Sequence, residues 1–246
     1  MFRAYGENAF TFLFFQKLFE TEQIVRPFLN NLKQFSTGKK LEEIHKDAFS
    51  EAQNGDQLEV WLFPNFGKSA GFGEPDAIIL YGKFSFWIEV ETQFNLIKKE
   101  TEAKKALRQL MRFHYFNQAL ANGKQKPEDT DGESYWAIKG PTIKNNGDTK
   151  LGKLRVAGHG VLQKTLKRLI ESAKNKNDHY ILLSIGEMEL KGKLNEIFNG
   201  CIMGITDEKL INLKPCSDRF WYQYYEGDLK NITKINLPDY VSRKSS

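Results

Sequence analysis

Cysteine is scarce in this chain of 246 residues, where Cys201 and Cys216 are the only two. Neither lies in a CxxC or Cys/His spacing, which excludes the common zinc and thioredoxin-like motifs. The chain also lacks an HExxH pair and any apolar run near the ~20 residues of a membrane span. Its first residues, MFRAYGENAF, lack the basic-then-apolar layout of a secretory signal. These absences predict a cytoplasmic protein without a membrane partner.

The charge balance is slightly basic. Lys and Arg total 36 against 31 Asp and Glu, which gives a formal net charge of +5. Such an excess favours a polyanionic partner when the basic residues gather on one face, because binding releases counterions from nucleic acid. The composition is that of a globular protein, and no repeat or long linker divides the chain. We therefore expect one domain over residues 1–246.

Hydrophobic periodicity predicts an α/β protein that begins with helices. Helices are expected at residues 7–22, 26–35, 39–52, 95–120 and 161–174. Strands are expected at residues 58–63, 76–81, 84–91, 135–139, 179–186 and 201–206. Polar loops are expected at residues 123–134 and 140–153. Residues 220–227, FWYQYYEG, are predicted as an edge strand or an aromatic surface ribbon.

The segment GEPDAIILYGKFSFWIEVET, residues 73–92, carries the most informative pattern. Gly82 and Lys83 separate two strand-like runs, and so short a connection predicts an antiparallel hairpin. Glu89 and Glu91 lie two positions apart, which places them on one face of the second strand. Asp76 opens the first strand, so the hairpin brings it opposite the end of the second. Three carboxylates are therefore expected to converge at one rim of the sheet.

Clustered carboxylates repel one another, and a hard cation relieves that repulsion. Mg²⁺ prefers oxygen ligands and keeps several of its waters, so two or three carboxylates and a substrate phosphate suit it. Such an ion activates a bound water and stabilises the charge that develops on a phosphoryl group. The pattern thus predicts hydrolysis of phosphodiester bonds with Mg²⁺ or Mn²⁺ as cofactor.

At these residues the chain resembles the PD-(D/E)xK nuclease superfamily, which includes restriction endonucleases and nucleases of repair and defence. The likeness rests on Pro75-Asp76 followed by Glu89-x-Glu91, with helix before the motif and a long helix after it. It implies a restriction-endonuclease-like core, a central mixed β-sheet flanked by helices, over about residues 1–186, with residues 187–246 as an elaboration. It also implies that Asp76 and Glu89 hold the metal ion and that the protein cleaves DNA.

Glu91 departs from the family pattern, which usually has Lys at this position. A minority of restriction enzymes carry Glu-x-Glu, and by resemblance Glu91 acts as a general base or as a further metal ligand. Lys83 in the hairpin turn is a candidate source of the missing positive charge, although a lysine in a turn is by default solvated. Gln93, just after the motif, is a further candidate near the site.

The family often supplies one more acidic ligand from its first helix. Glu7 precedes the first apolar run and is the candidate for that ligand. A Glu at a helix start is also a favourable partner of the helix dipole, which explains Glu7 without a metal. Glu42, Glu43 and Glu51, in a later predicted helix, are the alternatives.

The long helix predicted after the motif offers residues for binding DNA. Arg108 and Arg112 are four positions apart and so lie together on one face. With Lys105 and Gln109 they are candidates for contact with the phosphate backbone, while a charged helix face is by default only solvated. Cleavage of both strands would suit a homodimer with two-fold symmetry.

Other interpretations stay open at this point. A catalytically inactive module for binding nucleic acid or protein would keep the same fold, and Glu91 would then mark a lost lysine. A structural or toxin-neutralising protein would use FWYQYY as its contact patch, because exposed Tyr and Trp favour interfaces. In the simplest alternative, Glu89 and Glu91 face solvent from an edge strand.

Overall fold

The structure is a computed structural model that describes part of the chain. It describes residues 11–12, 14–16, 18, 22–45, 58–64, 74–91, 100–126, 135–139, 151–155, 160–185 and 218–225. In these ranges the protein is an α/β structure with a six-stranded mixed sheet, helices packed against it, and a three-stranded antiparallel sheet. Across the same ranges, no helix has the length and apolar character needed to cross a membrane.

The helices and strands follow in an order close to the predicted one. The helices are α1 (Glu22–Asn30), α2 (Leu41–Ile44), α3 (Glu100–Ala121) and α4 (Gly160–Lys174). The strands are β1 (Lys33–Gln34), β2 (Glu59–Leu62), β3 (Ala77–Tyr81), β4 (Phe84–Glu91), β5 (Lys124–Lys126), β6 (Tyr135–Lys139), β7 (Leu151–Arg155), β8 (Asp178–Ile185) and β9 (Phe220–Tyr225). Helical residues are also present at positions 11, 12, 14–16 and 18, inside the predicted first helix.

The larger sheet has the strand order β1-β9-β8-β4-β3-β2. The strands β2, β3 and β4 form an antiparallel meander, whereas β8 runs parallel to β4 and β9 runs parallel to β8. The predicted central mixed sheet is therefore present. Since β4 lies between β3 and β8, the interpretation of Glu89 and Glu91 as residues of an edge strand is wrong.

The β3–β4 hairpin has the predicted two-residue turn. Tyr81 pairs with Phe84 across the turn, and Gly82 has a φ of 55°, a conformation that a Cβ atom disfavours. At the other end of the hairpin Ala77 pairs with Ile88. One further step in this register places Asp76 beside Glu89.

Each face of the six-stranded sheet carries its own apolar cluster. On one face, called the α3 face here, Trp87 packs against Phe113 and Phe116 of α3, with ring centroids 6.1 and 5.6 Å apart. On the opposite face Phe86 belongs to a cluster with Leu29 of α1. Burying a side chain of this size contributes roughly 1.5–3 kcal/mol. The sheet is thus sandwiched between helices.

Two of the predicted helices have different bounds in the structure. The helix expected at 26–35 runs from Glu22 to Asn30, with Pro27 in its interior rather than in its first turn. Its predicted second half is wrong because Lys33 and Gln34 pair with β9 as a strand. Of the helix expected at 39–52, α2 is the part that the structure describes, and residues 46–52 lie outside the described ranges.

The two predicted polar loops each contain a strand. The loop expected at 123–134 contains β5, and the loop expected at 140–153 ends inside β7. Both strands pair with β6, and their polar sequences hide the alternation that marks a half-buried strand. The strand expected at 201–206 lies outside the described ranges.

The aromatic segment FWYQYY is not the surface ribbon or edge strand that its composition predicted. It forms β9, which lies between β1 and β8. Phe220, Trp221 and Tyr222 are buried. Burial of these three rings removes the first half of the contact patch that the structural or toxin-neutralising interpretation uses, and the side chains of residues 223–225 lie outside the described part. It also places a strand from the predicted elaboration in the same sheet as the core strands.

Candidate metal centre

The backbone of Asp76 is held between its two neighbouring strands. Its N–H donates to the carbonyl of Ile88 at 3.0 Å, and its carbonyl accepts from the N–H of Phe63 at 3.0 Å. Pro75, just before it, is buried. Asp76 therefore begins the hairpin from a defined position at its open end.

The carboxylate of Asp76 is also oriented by β4. Its Oδ2 accepts a hydrogen bond from the backbone N–H of Val90, with 2.8 Å between the two atoms. A backbone donor of this kind costs no side-chain entropy and favours the charged carboxylate. The Asp76 carboxylate is thus preorganised directly beside Glu89.

Glu89 occupies a central strand at the border between core and solvent. Its side chain is half-buried, and alternation along β4 places its position on the α3 face, as for Trp87. Along the parallel pairing it lies next to Leu182 of β8, which is buried. Asp76 and Glu89, called the carboxylate pair here, therefore occupy neighbouring positions at the edge of an apolar surface.

Glu91 is the last residue of β4 and pairs in register with Ser184 of β8. Its backbone position follows Glu89 on the α3 face, as the sequence predicted. The side chain of Glu91 lies outside the described part of the structure, as do Glu7, Glu51 and Gln93. Their predicted roles stay predictions.

Lys83 is not brought to the carboxylates. It is exposed in the hairpin turn, where its Nζ lies 5.7 Å from the ring centroid of Phe84. Six residue steps along β4 separate it from Glu89, a distance of about 20 Å in an extended strand. Glu42 and Glu43 are exposed on α2, whose Leu41 packs in the cluster on the opposite face of the sheet.

The predicted DNA-binding residues lie on α3, which covers the α3 face. Gln109 and Arg112 are half-buried, and Nη1 of Arg112 donates to Oε1 of Gln109 at 2.7 Å. This bond fixes the guanidinium relative to the helix. The side chains of Lys105 and Arg108 lie outside the described part of α3.

Among the described side chains, no group of three His, Cys, Asp or Glu residues is arranged to hold a metal ion. That search covers the side chains of Asp76 and Glu89, whereas those of Glu7 and Glu91 lie outside the described part. Two carboxylates suit Mg²⁺, which keeps several water ligands when it binds to proteins. The chemistry of these two carboxylates is therefore compatible with Mg²⁺ or Mn²⁺.

The sequence did not reveal a buried polar network at the other end of the sheet. The Tyr180 hydroxyl donates to Oδ2 of Asp178, and Nη1 of Arg219 lies 2.5 Å from Oδ1 of the same carboxylate. Nδ1 of His114 is 3.2 Å from the Tyr180 hydroxyl. Burial raises the pKa of Asp178, and the charge of Arg219 opposes that rise. The network connects α3, β8 and the start of β9, which is a structural role.

His45 and His179 are a second cluster that contains potential metal ligands. Their ring centroids are 5.5 Å apart. The indole N–H of Trp221 donates to Nδ1 of His179 at 2.9 Å, so the proton of the neutral imidazole resides on Nε2. Nε2 then has no lone pair for a metal. This geometry argues against a zinc site at the two histidines.

Comparison with known proteins found no matching family model, no similar curated protein and no similar solved structure. The fold by itself defines an α/β protein with a six-stranded mixed sheet. Its function has to be argued from the site, because one fold supports many activities.

Proposed function

We propose that this protein is a Mg²⁺- or Mn²⁺-dependent nuclease that hydrolyses phosphodiester bonds of DNA. The observation that carries the proposal is the pairing of Asp76 with Glu89 at the open end of the hairpin, with the Asp76 carboxylate oriented by the Val90 N–H. Two carboxylates at neighbouring positions of adjacent strands supply the oxygen donors that Mg²⁺ and Mn²⁺ prefer.

The order of the elements supports the same proposal. Helical residues precede the β2–β3–β4 meander, α3 follows it, and β8 then joins the sheet parallel to β4. This order agrees with the restriction-endonuclease-like core that the PD and Glu-x-Glu residues imply.

In the proposed mechanism, Asp76 and Glu89 would hold the ion at the open end of the hairpin. When bound, it would supply Lewis acidity for the hydrolysis of the phosphodiester bond. Glu91 orients or deprotonates the attacking water, and Glu7 completes the ligand set. Arg112 and Gln109, with Lys105 and Arg108, contact the DNA backbone from α3. A homodimer with two-fold symmetry would present one such site to each strand of a duplex.

The test is cleavage of labelled linear, circular and single-stranded DNA with Mg²⁺ or Mn²⁺. Asp76→Ala and Glu89→Ala should each reduce the rate by at least about 100-fold, the scale expected when a group that stabilises the transition state is lost. Glu171→Ala is the matched control, because Glu171 is exposed on α4. Calorimetry should show metal binding by the wild type and weaker binding by Asp76→Ala.

The main alternative is a catalytically inactive module on the same fold. The residue that favours it is Glu91, which occupies the position where the family usually has lysine. An inactive module has no need for a metal ion. Absence of both cleavage and calorimetric metal binding in the wild type would refute the nuclease proposal and favour this alternative.

A further inference from the structure

The α3 face changes from apolar to polar where β4, β8 and β9 end. These three parallel strands pair in register, so their residues form rows across the face. The inner row consists of Glu89, Leu182 and Tyr222. The outer row consists of Glu91, Ser184 and Tyr224. The outer row therefore has an acidic residue on β4 and a hydroxyl-bearing residue on each of the next two strands, β8 and β9.

Solvent exposure at the strand ends does not account for this row. Between the two rows, the opposite face of the same strands carries Val90, Leu183 and Gln223. Val90 and Leu183 are buried in the cluster on that face. Fraying into solvent would favour polar residues on both faces. Two of the three positions on that face are apolar and Gln223 is the third, whereas all three positions of the outer row on the α3 face are acidic or hydroxyl-bearing.

The row lies at the carboxyl edge of the parallel strands. In open α/β sheets, ligands bind outside this edge. Neighbouring strands are about 4.8 Å apart, so the Tyr224 position lies about 10 Å from Glu91 and the Ser184 position lies between them. This span extends the site sideways from the proposed metal ion across two strands.

We propose that Ser184 and Tyr224 bind the sugar-phosphate backbone of nucleic acid next to the carboxylate pair. The inference rests on the proposed function and adds the direction of the substrate, which crosses the carboxyl edge from β4 towards β9. Hydroxyl groups of Ser and Tyr are common donors to phosphate oxygens and position the strand without reading its sequence. Because these hydroxyl groups are neutral, their contacts with phosphate release no counterions from the nucleic acid.

The experiment compares Ser184→Ala and Tyr224→Phe with Tyr225→Phe. Tyr225 is the next residue of β9 and pairs with Ile185, so the control removes the same hydroxyl from a position on the opposite face. Binding of labelled single-stranded and double-stranded oligonucleotides is measured in EDTA at several salt concentrations. Cleavage with Mg²⁺ and unfolding in urea are measured on the same variants.

We expect Tyr224→Phe and Ser184→Ala each to weaken DNA binding roughly three- to tenfold, the scale of one lost hydrogen bond. The salt dependence of binding should not change, whereas loss of a cationic contact would lower its slope by about one. KM should rise more than kcat falls. Tyr225→Phe should bind and cleave as the wild type does, and urea unfolding should be similar for all variants.

The outcomes separate this inference from the proposed function. If the wild type cleaves DNA, Asp76→Ala does not, and both hydroxyl variants bind as the wild type does, the inference is wrong and the nuclease proposal stands. If the wild type binds DNA without cleaving it, and Tyr224→Phe weakens binding while Tyr225→Phe does not, the inference stands and the nuclease proposal is wrong. Absence of DNA binding by the wild type overturns both.

Discussion

Acid should destabilise this protein through His179, whose side chain is buried in the six-stranded sheet. Nδ1 of His179 accepts the indole N–H of Trp221, so a proton on Nδ1 would set two N–H groups against each other. Burial is the main reason that the pKa of His179 is lowered to about 3, and the charges of His45 and Arg219 contribute further. The ordinary pKa is 6.5.

The sign and size of the effect follow from this difference in pKa. As the pH falls below about 6.5, the unfolded chain binds a proton at His179 and the folded chain does not, so stability is lost until the pH reaches about 3. At about pH 5 this group alone should cost about 2 kcal/mol of unfolding free energy. The pKa of His114 is also lowered to about 3, by burial and by Arg219, so this residue adds a loss in the same direction.

The assay is urea unfolding at about pH 7 and about pH 5, for the wild type and for His179→Asn. Asn does not titrate and carries a carbonyl oxygen close to the place of Nδ1, so it retains an acceptor for Trp221. The variant should be less stable at about pH 7 because it loses ring packing. Between the two pH values, however, the wild type should lose about 2 kcal/mol more than the variant. Equal losses would refute the assigned role of His179, because all other titrating groups are common to both proteins.

Two further substitutions test the polar contacts that hold the helices and strands together. Glu59→Gln should lower the free energy of unfolding by about 1–2 kcal/mol, because the Glu59 carboxylate accepts hydrogen bonds from Thr165 and Arg168 of α4, each at 2.7 Å. An unchanged urea midpoint would show that solvent screens this contact. Asp178→Asn should cost about 3 kcal/mol because it removes the counter-charge of the largely buried Arg219. A variant as stable as the wild type would contradict the structural role assigned to this pair.

The β3–β4 hairpin shows which contacts of this protein can be predicted from residues close together in the sequence. Its strands were predicted at residues 76–81 and 84–91, and the structure has Ala77–Tyr81 and Phe84–Glu91. Gly82 has the positive φ that the short turn requires. Turn geometry sets the register of a hairpin, so the position of Asp76 beside Glu89 follows from neighbouring residues alone. The same register separates Lys83 from the carboxylates.

The sequence by itself therefore determined the hairpin, the long helices and the carboxylate pair, because their contacts are formed between residues close in the chain. Tertiary structure alone decided that β1 pairs with β9, which joins Gln34 to Trp221. It also buried Phe220, Trp221 and Tyr222, which composition predicted as part of an edge strand or a surface ribbon. These contacts form only when long stretches of chain close into loops. Their free energy comes from burial of apolar surface, which local sequence patterns do not predict. The same long-range pairing places Ser184 and Tyr224 in a row with Glu91.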